Sequence, residues 1–346
     1  MTPKYQIIVK DKGGNIIGEF SDFFNLKFSD ILNNYGQCTF DVPITSSDST
    51  KLISLRRFEV DIVRDGTVVW SGEQANADIT LQANNANLIT VTCFTYIEML
   101  NARYTPEYIR YEAEDQANIL KELVDDSQAK TDGDLGFTFA SITPTKDRDR
   151  EYKLDNIMEA FINMSNVIDG IDFWVDKDKV IHFAEERGTD KSNLYSLQWG
   201  VNIETLRITD NFSSPANTVY AIGSSDGVTQ LVESYADIQT RGIYKLREQT
   251  LSAIDVSESD TLLGKAQDLV RKNRNQIRTI KIEQIPNTTP TIDKIFVGDS
   301  LNVKFSKGRY DINSGFRILG YEVTLGDTGE ERISWVLSDF EEIGVS

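Results

Sequence analysis

The chain has 346 residues, 40% hydrophobic and 10% aromatic, which is enough apolar material for several compact cores rather than one. Its 54 acidic and 36 basic side chains leave a formal charge of −18, the wrong sign for a protein that grips nucleic acid by displacing phosphate counterions. No apolar run approaches the ~18 residues that cross a bilayer, and MTPKYQIIVK enters a strand directly without a secretory signal, so a cytoplasmically folded chain without membrane insertion is expected.

YQIIVKDKGGNIIGEF predicts a hairpin around Gly13-Gly14, and GQCTFDVP puts Cys38, Phe40 and Val42 on one face of a strand. In FEVDIVRDGTVVWSGEQ, residues 58–74, Asp65-Gly66 suits a type I′ turn, whose two central positions need positive φ. The expected register sets Arg64 against Thr67, Val63 against Val68, Ile62 against Val69 and Asp61 against Trp70. One face then carries Phe58, Val60, Ile62 and Val69, and the other carries Val63, Val68 and Trp70 beside Glu59 and Asp61. Valines, an indole and acids together suit a covered surface, and the cover is either a second layer of the same domain or a neighbouring subunit. NLITVTCFTYIEML follows Asn84-Asn85, and closely spaced strands with Gly, Asn and Asp turns make 1–104 a barrel or sandwich.

Helical periodicity begins at 113–129, where Ala113, Ala117, Leu120, Leu123 and Val124 form one stripe, and returns in LDNIMEAFINMSNVI with Leu154, Ile157, Met158, Phe161, Ile162 and Ile168. With the hairpin IDFWVDKDKVIHFAEE these helices make an α+β unit over 105–200. A second α+β unit over 201–283 holds strands such as NTVYAIGS and a helix at about 258–274, with Ser257 as N-cap, Asp260 three residues on, and Leu262, Leu263, Ala266, Leu269 and Val270 inward. Strands resume over 284–346, with those from about 201–223 completing this last β unit.

Catalytic and metal chemistry has little to stand on. Cys38 and Cys93 are too few for a disulfide framework and read as buried free thiols, while His182, the single histidine, alternates with Ile181 and Phe183 along a strand and reads as structural. Asp176-Lys177-Asp178 lacks the glycine and closing glutamate of a calcium loop and reads as a hairpin turn, and Asp132-Gly133-Asp134 fails the same test. The phosphate-binding and nucleophile-elbow glycine motifs are missing, so no cofactor, metal site or catalytic residue is expected; a pair of glycosidase carboxylates among 54 acids is neither proposed nor excluded.

EVDIVRDG, VVWSGEQANADITL and NLITVTCFTY match in order DSLNVKFSKG, FRILGYEVTL and ERISWVLSDF, each set giving strand, turn, a strand through Gly72 or Gly320, and a final β-rich strand. LRRFEVDIVRDGTVVWSGEQ, then WVDKDKVIHF, NFSSPANTVYAIGS, YADIQTRGIYKLREQTLS and GDSLNVKF, in that order, resembles across essentially the whole chain the baseplate or tail-tip hub family of phage tails. That family is related to the amino-terminal part of tail-associated lysins and to hubs of contractile injection systems and phage-like bacteriocins. The resemblance implies a mixed β and α+β fold, with two tail-tube-like barrel or sandwich domains flanking α+β domains. It implies a homotrimeric ring of pseudo-sixfold symmetry in the virion, joining a tail-tube or distal tail protein to a spike, fibre or tape-measure protein around a DNA channel. Val63, Val68 and Trp70 then become subunit-interface candidates, and Glu59 and Asp61 lumen or rim charges. The sequence ends at Ser346 after the last β unit, so wall cleavage is expected on another polypeptide. The alternatives are a distal tail or carbohydrate-binding receptor protein, which needs an exposed aromatic platform, and a cell-wall hydrolase.

Overall fold

The computed structural model describes residues 2–54, 57–82, 87–167, 169–211, 216–225, 229–253, 256, 258–273, 277–308, 310–326 and 329–338. Asn84-Asn85, Ile168 and Ser257 lie outside them. The fold is mixed β and α+β, dominated by one large sheet.

The chain opens with β1 (Tyr5–Lys10), β2 (Ile16–Phe20), β3 (Phe24–Ile31) and β4 (Gln37–Pro43). At the expected first turn the Asp11 carboxylate accepts from the backbone N–H groups of Gly13 and Asn15, reversing the chain. Cys38, Phe40 and Val42 are fully buried along β4, as period-two alternation requires. After the short helix α1 (Ser49–Ser54) come β5 (Glu59–Arg64), β6 (Thr67–Thr80), β7 (Leu88–Phe94) and a 3-10 helix (Tyr96–Ala102).

The register expected for the β5–β6 hairpin needs a correction. Arg64 faces Thr67 and Val63 faces Val68, but Ile62 pairs with Trp70, Asp61 with Ser71 and Glu59 with Glu73. Val69 is thus an extra residue, and this bulge shifts the rest of β6 by one place. Trp70 therefore shares the face of Val60 and Ile62 and leaves that of Glu59 and Asp61.

Next come β8 (Ile109–Asp115), α2 (Gln116–Gln128), β9 (Thr138–Phe139), β10 (Asp147–Tyr152), α3 (Ile157–Ser165), β11 (Asp172–Val175) and β12 (Val180–Ala184). Asp115 caps α2 by accepting from the N–H groups of Ala117 and Asn118, so Ala113 belongs to β8 and not to the helical stripe. Asn156 likewise caps α3 through the Glu159 N–H, which leaves Leu154 outside the helix and 60% exposed. Leu120, Leu123, Val124, Ile157, Met158 and Phe161 share a core with Phe173, whose ring meets Phe161 edge-on at 5.1 Å.

The remaining elements are β13 (Ser196–Gln198), β14 (Ile203–Asn211), β15 (Thr218–Ser225), β16 (Gln230–Ala236), α4 (Ile238–Tyr244), β17 (Glu248–Ser252), α5 (Ser259–Asn273), β18 (Ile277–Gln284), β19 (Ser300–Lys307), β20 (Tyr310–Leu325) and β21 (Glu331–Leu337). Two compact units result, one formed by 1–206 with 281–338 and the other by 207–280. In the second, strands run β16-β15-β17, and Leu262, Ala266 and Val270 of α5 share a core with Val219 and Ala221 of β15. Helix α4 has no apolar stripe: Ile238 and Ile243 are 81% and 72% exposed, and only the Asp237 cap to the Thr240 N–H marks its start.

The large sheet runs β14-β18-β21-β20-β3-β4-β7-β6-β5-β1-β2, with β19 also on β20 and β13 beside β19. This order contains the same arrangement twice. Taking β3 to β7 in chain order, space orders them first, second, fifth, fourth, third; β14 and β18 to β21 do the same. The fourth strand of each set is long, 14 residues in β6 and 16 in β20, and changes partner midway. A bulge marks the change in both, between Gln74 and Asn76 and between Ile318 and Gly320.

Candidate functional site: the joint between the halves and the open sheet edges

The two halves meet in a single antiparallel ladder, which sets Gly320 against Ile31, Tyr321 against Asp30, Val323 against Phe28 and Thr324 against Lys27. A Cβ on Gly320 would stand 3.0 Å from the Asp30 carbonyl oxygen, so the close approach of β20 to β3 suits glycine. Beside the ladder, Arg64 bonds Glu331 at 2.6 Å and Asp293 at 3.0 Å, and the Tyr5 hydroxyl donates to Glu331. The Glu331 side chain is only 1% exposed, and burial together with this carboxylate pushes the Tyr5 phenol far above its ordinary pKa. Removing Arg64 would strand the buried Glu331 carboxylate, so the arginine is the member on which the cluster depends.

Counting from the bulge that both strands share makes Asn76–Thr80 of β6 the equivalents of Gly320–Thr324 of β20, since Ala77 faces Val91 as Tyr321 faces Trp335. In β20 this stretch carries β21 on one edge and β3 on the other. In β6 it carries β7 alone among the described residues. The first strand of the second half, β14, likewise ends the strand order with one neighbouring strand, β18, among the described residues, apart from an isolated bridge from Trp199 to Ile203. One junction is therefore made inside the chain, and its two counterpart edges are open among the described residues. The β6 edge has none of the lysines or prolines that usually guard an edge strand; Ile79 is 46% exposed and Leu81 beyond it 68%.

The five residues singled out from the sequence lie elsewhere. The indole of Trp70 is 4% exposed and donates from Nε1 to the Ser29 carbonyl at 2.9 Å. Val63 and Asp61 are buried, the latter against the Lys10 ammonium and the Ser71 hydroxyl. Glu59 bonds Lys179 at 2.6 Å and accepts from the Tyr96 hydroxyl, whose pKa burial and that carboxylate drive up. Half-buried Val68 and Trp70 line one cleft of about 420 Å³ with Ile97, Trp174 and Phe296, whereas Glu59 lines another of about 480 Å³ with Arg57, Glu73 and Lys179. Sequence reasoning missed the open edges, because a strand's free hydrogen-bonding groups leave no trace in side-chain periodicity.

His182 stacks on Trp174 at 4.9 Å, and the opposite strand of the hairpin supplies that indole. Its Nε2 lies 2.9 Å from Asp176, which also accepts from the Asp178 and Val180 N–H groups and so shapes the β11–β12 turn. No cluster of three or more His, Cys, Asp or Glu side chains suited to a metal ion occurs among the described residues.

By sequence, no protein-family model and no curated protein matches the chain. By structure, a tail protein of Neisseria meningitidis MC58 matches with a TM-score of 0.69 at 16% identity, over 97% of this chain and 96% of its own. The chain has the fold of phage tail proteins. The 43 kDa tail protein of prophage MuSo2 from Shewanella oneidensis matches at TM-score 0.67 and 10% identity, over 97% and 98% of the two chains. Prophage tail protein gp18 of Listeria monocytogenes EGD-e matches at 0.59 and 13%, over 96% and 94%. The tail resemblance read from strand and turn order is thus met in the fold, and at these identities the likeness is one of fold alone.

Proposed function

We propose that this protein is the structural hub of a phage or phage-like tail tip, residing in the virion as a homotrimeric ring. The carrying observation is the duplicated strand order with one junction closed inside the chain and the matching edges of β6 and β14 open. If the open β14 edge of one copy receives the open β6 edge of the next, every junction has the same design, and three chains supply six similar sheet units around a bore. Such a ring fits a sixfold tube or distal tail protein on one side and a threefold spike, fibre or tape-measure end on the other. In this reading the segments 1–104 and 284–346 supply the two tube-like β domains, with strands from about 201–223 completing the second, while 105–200 and the rest of 201–283 are α+β domains. Acidic character suits a channel that DNA passes without sticking, because like charge repels.

The test is the mass of the purified chain in solution across a concentration series, with images of the particles formed. A three-chain ring with six similar lobes is the expected result. A two-chain assembly, or a ring in which β6 and β14 face solvent, overturns the reading.

A further inference from the structure

Cys38 and Cys93 are 55 positions apart in sequence and directly opposite one another in the β4–β7 ladder. They belong to one row that crosses the sheet from strand to strand: Ile333, Val323, Phe28, Cys38, Cys93 and Gln74 are successive partners, all buried. Partners in an antiparallel ladder hold their Cα atoms about 4.5–5.5 Å apart with both side chains on the same face. That spacing falls inside the range a disulfide spans, about 4.4–6.8 Å. Both thiols are fully buried and free, and burial, together with the mutual proximity that acts on Cys38, pushes both upward in pKa. They are therefore protonated and shielded while the sheet is closed.

We propose that Cys38 and Cys93 form a latent cross-strand disulfide site, closed by a small disulfide oxidant such as oxidised glutathione when β4 and β7 separate or before they pair. One thiolate attacks the oxidant's S–S bond and expels one glutathione thiolate, giving a mixed disulfide. The second cysteine then attacks the protein sulfur of that mixed disulfide and expels the other glutathione. Two cysteine thiols become one S–S bond, their two protons and two electrons end on two glutathione thiols, and nothing else is consumed. The bond would tie β4 to β7 across a loop holding α1, β5 and β6, beside the β3–β20 joint. It stands on strand pairing alone and does not depend on the proposed ring.

The experiment refolds the full chain from urea in a glutathione buffer, oxidised or reduced, then alkylates free thiols in denaturant and maps peptides by mass. The oxidising arm is expected to yield a monomeric chain lighter by two hydrogens, with peptides containing Cys38 and Cys93 linked and no free thiol. Its urea midpoint should lie above that of the reduced chain and fall back on reduction. Cys93→Ser, refolded in parallel, should show no such shift. Full alkylation of both cysteines after oxidative refolding, linkage only between chains, or a lower midpoint for the linked chain would each overturn the proposal.

Discussion

Replacing Trp70 by alanine separates a structural role for this indole from a role on an outer contact surface. The side chain is 4% exposed, shares its face with Val60 and Ile62, and donates to the Ser29 carbonyl of β3. A Cβ on Gly72 would lie 2.1 Å from the Phe94 carbonyl oxygen and 2.5 Å from the far edge of the indole, so glycine at this position leaves room for the ring. Truncation of a buried Trp costs ~3–5 kcal/mol where the surroundings relax only in part, and Trp70→Ala also leaves the Ser29 carbonyl short of a donor. Trp70→Phe keeps most of the apolar contact and loses the hydrogen bond, for about 1–2 kcal/mol. Against a domain stability of roughly 5–15 kcal/mol, the first change removes a large share and the second a small one. Urea unfolding followed by tryptophan fluorescence reads this directly, because all four tryptophans lie in the unit formed by 1–206 and 281–338. A Trp70→Ala chain with an unchanged midpoint would refute the packing argument.

Two further outcomes follow from the same geometry. Ile79→Arg, on the open β6 edge, should leave unfolding within about 0.5 kcal/mol of the parent yet abolish ring formation in a native-mass measurement; rings formed at the parental concentration would remove β6 from the seam. Asp299 titrates below its ordinary value of 3.8, since burial, which opposes ionisation, is outweighed by Lys191 and by the N–H groups of Phe296 and Thr189. The unfolded chain then takes up the proton at higher pH, so this stabilisation is complete above the ordinary value and is lost as pH falls through the lowered one. Asp299→Asn should therefore be less stable near neutrality and lose less on acidification from about pH 6 to about pH 3, as read from unfolding midpoints.

What the sequence disclosed depended on the physics involved. Alternation along β4 and the Asp-Gly turn of β5–β6 were legible because period two and positive φ select residue types. The duplicated sheet was legible as the order of three motifs, although the strands preceding them, β3 and β4 in one half and β14 and β18 in the other, were not matched. Trp70 was assigned to the wrong face because Val69 bulges, and a single extra residue reverses everything after it. Helix α2 starts later than its stripe suggested because the Asp115 cap, rather than apolar periodicity, fixes the first turn. Helix α4 could not be found by periodicity, since its isoleucines face outward. Glu59 and Asp61 looked like surface charges because Lys179 and Lys10, which neutralise them, are distant in sequence.

The closed and open junctions differ in chemistry, and the difference predicts how a ring would respond to salt. Inside the chain the joint is flanked by charge: Glu331 begins β21 and holds Arg64, and Lys27 meets Glu322 across the ladder at 2.9 Å. At the equivalent positions of the open edge, counted from the shared bulge, Asp78 stands in place of Glu322, but Leu88 replaces Arg332 and exposed Ile79 replaces Val323, with Leu81 nearby. A junction made once, during folding, tolerates buried ions because the covalent chain holds the partners together while their water is stripped. A junction made between separate chains must supply its own driving force, and exposed aliphatic groups do so by leaving water, about 25 cal/mol per Å² of apolar area. Screening at about 1 M salt contracts the Debye length to roughly 3 Å and would weaken a seam held by surface ion pairs, while an aliphatic seam with strand hydrogen bonds should hold. The concentration at which half the chains enter the ring should therefore change little between dilute buffer and molar sodium chloride. A rise of tenfold or more at high salt, which for a three-chain ring is a hundredfold change in its dissociation constant or about 2.7 kcal/mol, would show that charges hold the seam and would place it away from the β6 edge.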